Sequence, residues 1–292
     1  MFGFRKIYIF TFISAFSLSS CNIINRDEQE PAYLAVNQFA LTTNEFIQGS
    51  ASSEIKDCWI FADDQAIGTY EMPFKIPTIK TGTRNLKVFP GVFLNGSGFV
   101  RIAYPFYRPY EINLNLAPGS TSTINPTTTY YEDVIMPVRI NFDDASGIPL
   151  EASSQSDTVL QIITNNAQVF EGNGSGLIEL KRSGQGFCEV QTINNVVLPK
   201  QGRSVYLEFN YQSNYELAIG VIGLNPNLAP TKTVTAFLEP NTEWKKIYMN
   251  ITAQVSAAVQ ATGYKVFFGA AKPNGGEPMK IYLDNIKLVY AP

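Results

Sequence analysis

Two segments in the C-terminal half of the chain alternate apolar and polar residues and could together form a binding face. Because alternate residues of a strand point to the same side, each segment presents three side chains outward. These are Tyr206, Glu208 and Asn210 in the first segment, and Lys246, Tyr248 and Asn250 in the second. On one sheet they would offer rings for apolar C–H faces and amides and charges for hydroxyl groups, which is the chemistry of sugar recognition. An ordinary polar outer face, with tyrosine favoured by its strand propensity, is the alternative explanation.

Catalytic chemistry has little support in the composition. The chain has no histidine, which removes the commonest general base and every Ser-His-Asp or Cys-His arrangement. It also lacks a Gly-x-Ser-x-Gly elbow, a P-loop and a Cys-x-x-Cys pair. The acidic pairs at 63–64 and 143–144 stand beside turn residues and are explained as solvated loops. We therefore expect no enzymatic activity. A net charge of −3 without a run of lysine or arginine argues against a nucleic-acid partner.

The first 21 residues have the order of a bacterial export leader. Arg5 and Lys6 give it a positive start, and residues 7–18 form an apolar run that is too short to span a membrane comfortably. The run ends in Leu-Ser-Ser-Cys, which resembles the lipobox of bacterial lipoproteins. The resemblance implies removal of residues 1–20 and acylation of the sulfur of Cys21, which becomes the mature N-terminus. The alternative is a secretory leader cut near small residues, with Cys21 unmodified.

Residues 21–31 are polar and predict a solvated tether that precedes the folded part. They include an acidic cluster at 26–30, which resembles the segment after the lipidated cysteine in surface lipoproteins of Bacteroidota-type bacteria. Asn22 also stands where an aspartate would suggest retention at the inner membrane. The resemblance implies a lipid-anchored protein of the outer membrane that faces the cell exterior.

Residues 32–129 combine short alternating segments with frequent turns and show no sustained helical periodicity, which predicts a small β-sandwich. The turn at 63–64 and the segment 82–88 resemble a PEGA-like module, within the broader class of immunoglobulin-like sandwiches. The densest aromatic cluster of the chain lies at 104–110. It is either a binding surface or a loop that packs on its own sandwich or against the second domain, and we favour packing.

Residues 130–292 contain many short apolar segments at the spacing typical of a β-sandwich or jelly roll. The predicted strands lie at 138–142, 159–164, 176–180, 204–211, 217–222, 244–251, 264–270 and 281–290. The segments 243–248 and 281–288 resemble the late strands of galactose-binding-like jelly rolls of the carbohydrate-binding-module type, and 140–143 resembles an early strand. The sequence therefore predicts an all-β chain of two sandwich domains, the second a jelly roll.

This second resemblance implies a possible structural calcium ion near Asp284, to which Asp143 could contribute. A plain turn explains the same residues equally well. Separately, Asp-Thr-Val at 157–159 matches a short pattern for O-glycosylation in Bacteroidota-like bacteria, with Thr158 as the acceptor. Cys58 and Cys188 fall in different predicted domains, and we favour two buried thiols over a disulfide between them.

Two hypotheses for function follow from this reading. The first is a lipid-anchored cell-surface protein that binds a glycan or glycoprotein through the jelly roll, beside an outer-membrane partner. The second is a structural or accessory subunit that docks a β-barrel or a secretion machine without binding sugar. An exposed aromatic groove in the jelly roll would favour the first, and a broad apolar patch across both domains the second.

Overall fold

The computed structural model of the chain describes residues 28–143, 150–181 and 184–292. Over these residues the protein is all-β, with two β-sandwich domains, which confirms the predicted fold class. The predicted leader, the predicted lipidation site Cys21 and most of the predicted tether lie outside the described residues. No helix within the described part of the chain is long and apolar enough to cross a membrane.

The N-terminal domain consists of ten strands and one short helix. The strands are β1 (Ala32–Val36), β2 (Ala40–Leu41), β3 (Asp57–Ala62), β4 (Gln65–Glu71), β5 (Phe74–Thr78), β6 (Gly82–Phe93), β7 (Arg101–Ala103), β8 (Tyr110–Leu116), β9 (Thr121–Ile124) and β10 (Thr127–Thr128), and the helix is α1 (Glu45–Gln48). One sheet has the order β5-β1-β9, and the other has the order β4-β3-β6-β7 with β8 also paired to β6. Strands β2 and β10 form a separate pair.

Alternation in the sequence explains the core of this domain. Leu34 in the first sheet and Ile60 and Val88 in the second are fully buried and belong to one apolar cluster. The predicted turn at Asp63 and Asp64 is correct: both residues have positive φ, +48° and +60°, as a two-residue hairpin loop between twisted strands requires.

The C-terminal domain contains the remaining eleven strands and a second short helix. They are β11 (Ile135–Ile140), β12 (Leu150–Ala152), β13 (Leu160–Ile163), β14 (Ser175–Leu180), β15 (Phe187–Thr192), β16 (Val205–Ser213), β17 (Leu217–Asn225), β18 (Leu228–Leu238), β19 (Asn241–Asn250), β20 (Gly263–Ala271) and β21 (Met279–Tyr290), with α2 (Thr252–Ala257). Strands β12, β15 and β18 were not predicted from the sequence. All eight predicted segments overlap strands.

Two sheets enclose the core of this domain. The first, here called the covered sheet, has the order β13-β14-β21-β16-β19, with β11 also paired to β21. The second, the open sheet, has the order β12-β15-β20-β17-β18. Phe209 of the covered sheet meets Phe268 of the open sheet edge to face, with ring centres 5.1 Å apart, at the middle of the core. Each sheet therefore has a second face that points away from this core.

The N-terminal domain lies against the free edge and the outer face of the covered sheet. Leu94, which follows β6, forms an isolated parallel bridge with Tyr248 on the edge strand β19. The next residue extends this pairing, because the Asn95 amide donates to the Tyr248 carbonyl at 2.9 Å. Pairing the edge strand in this way satisfies backbone groups that an exposed edge would leave open.

Candidate functional site

The six residues predicted to form a binding face do lie together on one sheet. In the pairing of β16 with β19, Tyr206 stands opposite Asn250, Glu208 opposite Tyr248, and Asn210 opposite Lys246. The alternation therefore identified three adjacent cross-strand pairs on one face of the covered sheet.

The expected exposure of these residues is wrong. Five of the six are buried and Asn250 is half-buried, because the N-terminal domain covers the outer face of the covered sheet. Its aromatic cluster supplies the cover: the ring of Tyr104 meets those of Tyr206 and Tyr248 edge to face, with centres 5.4 Å and 4.8 Å apart. The segment 104–110 was expected to pack on its own sandwich or against the second domain, and its buried members pack against the second domain. A face closed by a neighbouring domain offers no surface to a glycan.

The carboxylate of Glu208 forms the centre of this interface. Its Oε1 accepts a hydrogen bond from the Tyr104 hydroxyl at 2.6 Å, and the Tyr130 hydroxyl donates to both carboxylate oxygens at 3.0 Å and 2.8 Å. The Lys246 ammonium lies 3.7 Å from Oε2, and both side chains are almost completely buried. A charge in such a place is tolerated only where it is paired and hydrogen-bonded. Groups from both sides of the interface meet that requirement here.

A second buried lysine lies beside the same cluster. Lys287 donates from Nζ to the Ser50 carbonyl at 2.5 Å and lies 5.2 Å from the ring centre of Tyr130. Burial lowers the pKa of Lys287 to about 8, against the opposing attraction of Glu208. Burial also lowers the pKa of Lys246, again against the attraction of Glu208. Both ammonium groups are thus less stable here than they are in water.

The segment between α1 and β3 carries further polar contacts across the interface. The Ser52 hydroxyl donates to the side-chain oxygen of Asn210 at 2.9 Å, and the Glu54 amide donates to the Tyr248 hydroxyl at 3.0 Å. The predicted polar face thus binds the chain's own first domain.

The calcium site predicted at Asp284 and Asp143 stays a prediction, and the residues around it fit an ion poorly. Asp284 is fully buried, and its two oxygens accept from the Ser175 hydroxyl at 2.6 Å and the Asn285 amide at 2.7 Å. Asp143 accepts from the Asn173 amide and from the side-chain amide of Asn141. Protein donors thus already occupy oxygens that a calcium ion would use. Among the described residues, no group of three or more acidic, cysteine or histidine side chains could hold a metal ion.

The remaining predicted sites are the O-glycosylation site at Thr158 and the thiols of Cys58 and Cys188. Thr158 is half-buried beside a turn in which Asp157 accepts hydrogen bonds from the Gly186 and Phe187 amides. O-glycosylation of Thr158 stays a prediction.

Cys58 and Cys188 are free, buried thiols, as we expected from the sequence. Burial raises the pKa of each thiol to about 12, so neither forms the reactive thiolate at neutral pH.

An open groove lies on the opposite side of the jelly roll, on the outer face of the open sheet. Its volume is about 270 Å³, close to the lower end of the range of about 300–1,000 Å³ found for ligand pockets. Strand pairing places Glu189 of β15, Gly269 of β20, Ala218 of β17 and Phe237 of β18 in one row across the sheet. The groove therefore runs across four strands, a span of about 14 Å at a strand spacing of about 4.8 Å.

Small residues form the floor of this groove and aromatic residues its ends. Gly269 and Ala218 occupy the middle of the row and leave space above the sheet. Phe187 on β15 stands at one end, and Phe237 on β18 stands at the other with 60% of its surface exposed. Glycine is required at the neighbouring position 220, since a Cβ there would lie 2.5 Å from the ring of Phe267 and 2.2 Å from the Thr233 carbonyl oxygen.

A charged pair bridges the groove beside Phe267. The Lys232 ammonium lies 4.5 Å from the ring centre of Phe267 and donates to the Glu189 carboxylate. Lys232 belongs to the edge strand β18 and Glu189 to β15, so the pair joins two strands that are not neighbours in the sheet. Phe267 is consequently almost completely buried although it lies outside the apolar core of the domain.

The groove thus combines the two features that sugar binding needs, aromatic surface and charged hydrogen-bonding groups, on a face that is open. The groove was not predicted from the sequence because it depends on β15 and β18, two of the three strands that were not predicted. The sequence of β18 indicates a strand only weakly. In the segment 228–238, three threonines after Pro230 alternate with Lys232, Val234 and Ala236, as in an edge strand.

Comparisons with known proteins return structural matches only. No model of a known protein family matches the sequence, and no curated protein matches it. The CBM22-1 xylan-binding domain from Paenibacillus barcinonensis is similar at 10% identity and a TM-score of 0.41, over 55% of this chain and 97% of that domain.

Two further solved structures are carbohydrate-binding modules. The family 11 module from Clostridium thermocellum, in complex with a β-1,3-1,4-mixed-linked tetrasaccharide, is 13% identical with a TM-score of 0.36, over 52% of this chain and 96% of that module. TmCBM61, in complex with β-1,4-galactotriose, is 12% identical with a TM-score of 0.33, over 51% of this chain and 94% of that module. Likeness at this level supports no inference about the ligand of this chain.

Replacement of Glu208 by glutamine should strongly destabilise the protein. Glu208→Gln keeps the size of the side chain but removes the charge that compensates Lys246. Removing one partner of a buried ion pair costs about 3–5 kcal/mol, and we expect a loss of about 3 kcal/mol in the free energy of unfolding in urea. Glu132→Gln, in an exposed pair with Arg108, is the matched control and should leave the unfolding curve unchanged. Equal stability of the two variants would contradict the proposed role of Glu208.

The buried lysines predict a pH dependence of stability. Because the pKa of Lys287 is about 8 in the folded state and 10.5 as a free side chain, the unfolded chain binds more protons between these values. Lys287 should therefore contribute a rise in the free energy of unfolding as pH increases from 8 to about 10, which opposes the fall contributed by Cys58 and Cys188, because their thiols keep their protons in the folded state. The stability difference between the unchanged protein and Lys287→Met should grow over this pH range, whereas Lys181→Met, at an exposed position, should show no such trend. Urea denaturation at several pH values measures the slope, and an unchanged slope in Lys287→Met would count against the assignment.

The open sheet beside the groove should not accept a larger residue at position 220. In Gly220→Ala the added methyl group meets the Phe267 ring and a backbone oxygen, and overpacking of this kind costs about 1–3 kcal/mol. Gly98→Ala is the control, because nothing lies within 4 Å of a Cβ built at that glycine. Thermal unfolding should show a lower Tm for Gly220→Ala and an unchanged Tm for Gly98→Ala. Equal melting temperatures would show that the sheet is not tightly packed at Gly220.

Proposed function

We propose that this protein binds a glycan in the groove on the open sheet of its jelly roll. The observation that carries the proposal is the position of Phe187 and Phe237 at the two ends of a floor of glycine and alanine. A flat floor admits an extended ligand, and rings at both ends can stack on the apolar C–H faces of its sugar units. The covered sheet offers no comparable surface, because the N-terminal domain closes it.

The charges around the groove favour a neutral glycan. Among the described residues that line it, Glu189 and Glu216 stand with one cation, Lys232, so carboxylates outnumber ammonium groups there. A uronic acid or sulfated sugar would meet this excess of negative charge without a second cation to compensate it. Hydroxyl groups, by contrast, can donate to the carboxylates and accept from Lys232.

The proposal is binding rather than hydrolysis. Hydrolysis of a glycosidic bond requires one carboxyl group that donates a proton and a second that acts as base or nucleophile. Glu189 accepts a hydrogen bond from the Lys232 ammonium, an arrangement suited to holding a carboxylate in place.

We further propose that the protein acts at the cell surface, anchored by lipid at Cys21 in the outer membrane. A single acyl chain anchors weakly, whereas the several chains of a bacterial lipoprotein anchor stably. The N-terminal domain would then serve as a fixed base that holds the jelly roll away from the membrane. With its covered sheet against that base, the open sheet is the face left for a polysaccharide outside the cell.

Glycan binding should depend on the two terminal aromatic residues. The soluble chain without its leader and Cys21 is run in affinity gels that contain xylan, mixed-linkage β-glucan, galactan or polygalacturonate. We expect retardation by a neutral polysaccharide and none by polygalacturonate. Phe187→Ala and Phe237→Ala should each weaken binding about tenfold, the equivalent of about 1.4 kcal/mol of lost stacking.

Phe46→Ala serves as the matched control, because Phe46 lies on α1 of the N-terminal domain with 92% of its surface exposed. It should bind as the unchanged protein does. Retention of binding in a folded double variant at Phe187 and Phe237 would exclude this groove as the site. Absence of retardation by every polysaccharide would favour the structural or accessory role instead.

A further inference from the structure

Two cations stand side by side where the covered sheet meets the edge of the domain interface. In the antiparallel pairing of β11 with β21, Arg139 lies directly opposite Lys287. Side chains at opposed positions of such a pair have their Cβ atoms about 4.5–5.5 Å apart, and like charges there destabilise the sheet. Arg139 is exposed, whereas Lys287 is almost completely buried. A negative charge close to both groups would relieve their repulsion.

Neither cation forms an ion pair with an aspartate or glutamate in the described part of the chain. Their hydrogen bonds go to uncharged oxygens instead. Lys287 donates to the Ser50 carbonyl, and Arg139 donates from Nη1 to the Met136 carbonyl. The guanidinium group has five N–H donors and the ammonium group three, so both keep donors for a further partner.

The charges that act on Lys287 leave one positive charge uncompensated. Glu208 and Glu171 attract its ammonium group, and Lys246 and Arg139 repel it. Together with Lys287 these are three cations and two carboxylates. Glu208 is already paired with Lys246 and bonded to two tyrosine hydroxyls, and Glu171 accepts from two side-chain donors at 2.6 Å and 2.9 Å. Both carboxylates therefore have partners of their own.

A cavity of about 180 Å³ opens beside the two cations, between the domains. Arg139 and Lys287 line it from the jelly roll, and Gly49 and Ser50 line it from the N-terminal domain. A Cβ built on Gly49 would lie 3.2 Å from Cε and 3.8 Å from Nζ of Lys287, so the glycine leaves the end of the lysine free of a side chain. The volume is below the range of about 300–1,000 Å³ found for drug-sized ligands, so the cavity suits a small ion and not a sugar chain.

One acidic residue stands among the described residues that line this cavity. Glu45, on α1, is exposed and forms no ion pair with Arg139 or Lys287. Its negative charge disfavours a second one nearby, and it opposes a dianion about twice as strongly as a monoanion. One uncompensated positive charge and one neighbouring carboxylate therefore favour an anion with a single charge.

We propose that this cavity binds a small monovalent carboxylate, which lies between Arg139 and Lys287 and bridges the two domains. The flat fork of a guanidinium group matches the two oxygens of a carboxylate, and the ammonium group adds a second donor. Gly49 and Ser50 close the cavity from the other domain. The site is separate from the groove on the open sheet, so the inference does not depend on glycan binding.

The test measures acetate binding at neutral pH by saturation-transfer NMR, and thermal unfolding in acetate against chloride of the same ionic strength. At an acetate concentration of about ten times the Kd, the Tm of the unchanged protein should rise by about 3 °C, because the anion binds only the folded protein. Arg139→Gln should bind acetate at least about tenfold more weakly and lose this rise. Arg203→Gln, at an exposed position elsewhere in the jelly roll, is the matched control and should keep both.

Two further measurements separate the site from a general effect of salt. In chloride alone Arg139→Gln should melt no lower than the unchanged protein, because the substitution removes a like-charge pair. Glu45→Gln should tighten acetate binding about two- to threefold, because it removes the carboxylate that lines the cavity.

Three results would overturn the proposal. The first is the absence of an acetate signal from the unchanged protein. The second is equal acetate binding by Arg139→Gln and Arg203→Gln, which would place the anion elsewhere. The third is displacement of acetate by sulfate at a lower concentration than acetate itself requires, since the site would then prefer a dianion.

Discussion

The buried carboxylate of Glu208 is the constraint on which the arrangement of this molecule depends. A charge so far from water must find hydrogen-bond donors and an opposite charge, and its partners come from both sides of the interface. Tyr104 reaches it from the N-terminal domain and Lys246 from the jelly roll itself. Separating the domains would expose the tyrosine rings that pack around it and leave its hydrogen bonds to water. The interface is therefore built like a core, and the two domains should move as one body.

This interface determines which surface of the jelly roll remains for a ligand. A two-sheet sandwich has two outer faces, and here the face with the richer set of polar and aromatic residues is the one that is closed. The open sheet carries fewer such residues, but its glycines and Ala218 leave a depression that larger side chains would fill.

Much of the fold could be predicted because alternation reports directly on strands with one buried side. The segments at 204–211 and 244–251 are long and strongly alternating, and the structure pairs them residue by residue as their common face implied. The strands β15 and β18 escaped prediction for physical reasons. Strand β18 is an edge strand whose apolar content is diluted by threonine, lysine and Pro230, and β15 is a short segment with a glutamate among its buried residues. The candidate groove depends on these two strands, so the pattern of apolar and polar residues in the sequence did not indicate it.

The exposure of a face could not be predicted from the strand that carries it. Alternation shows that Tyr206, Glu208 and Asn210 point away from their own core, but whether water or another domain meets them depends on a segment about a hundred residues earlier. A tyrosine suits both outcomes, since its ring favours an apolar contact and its hydroxyl needs a polar partner. The cluster at 104–110 has the same dual character, so each half of the interface resembles a binding site when it is considered alone. Two such surfaces in one chain bind each other in preference to an external ligand. The chain that joins them holds them at a high effective concentration.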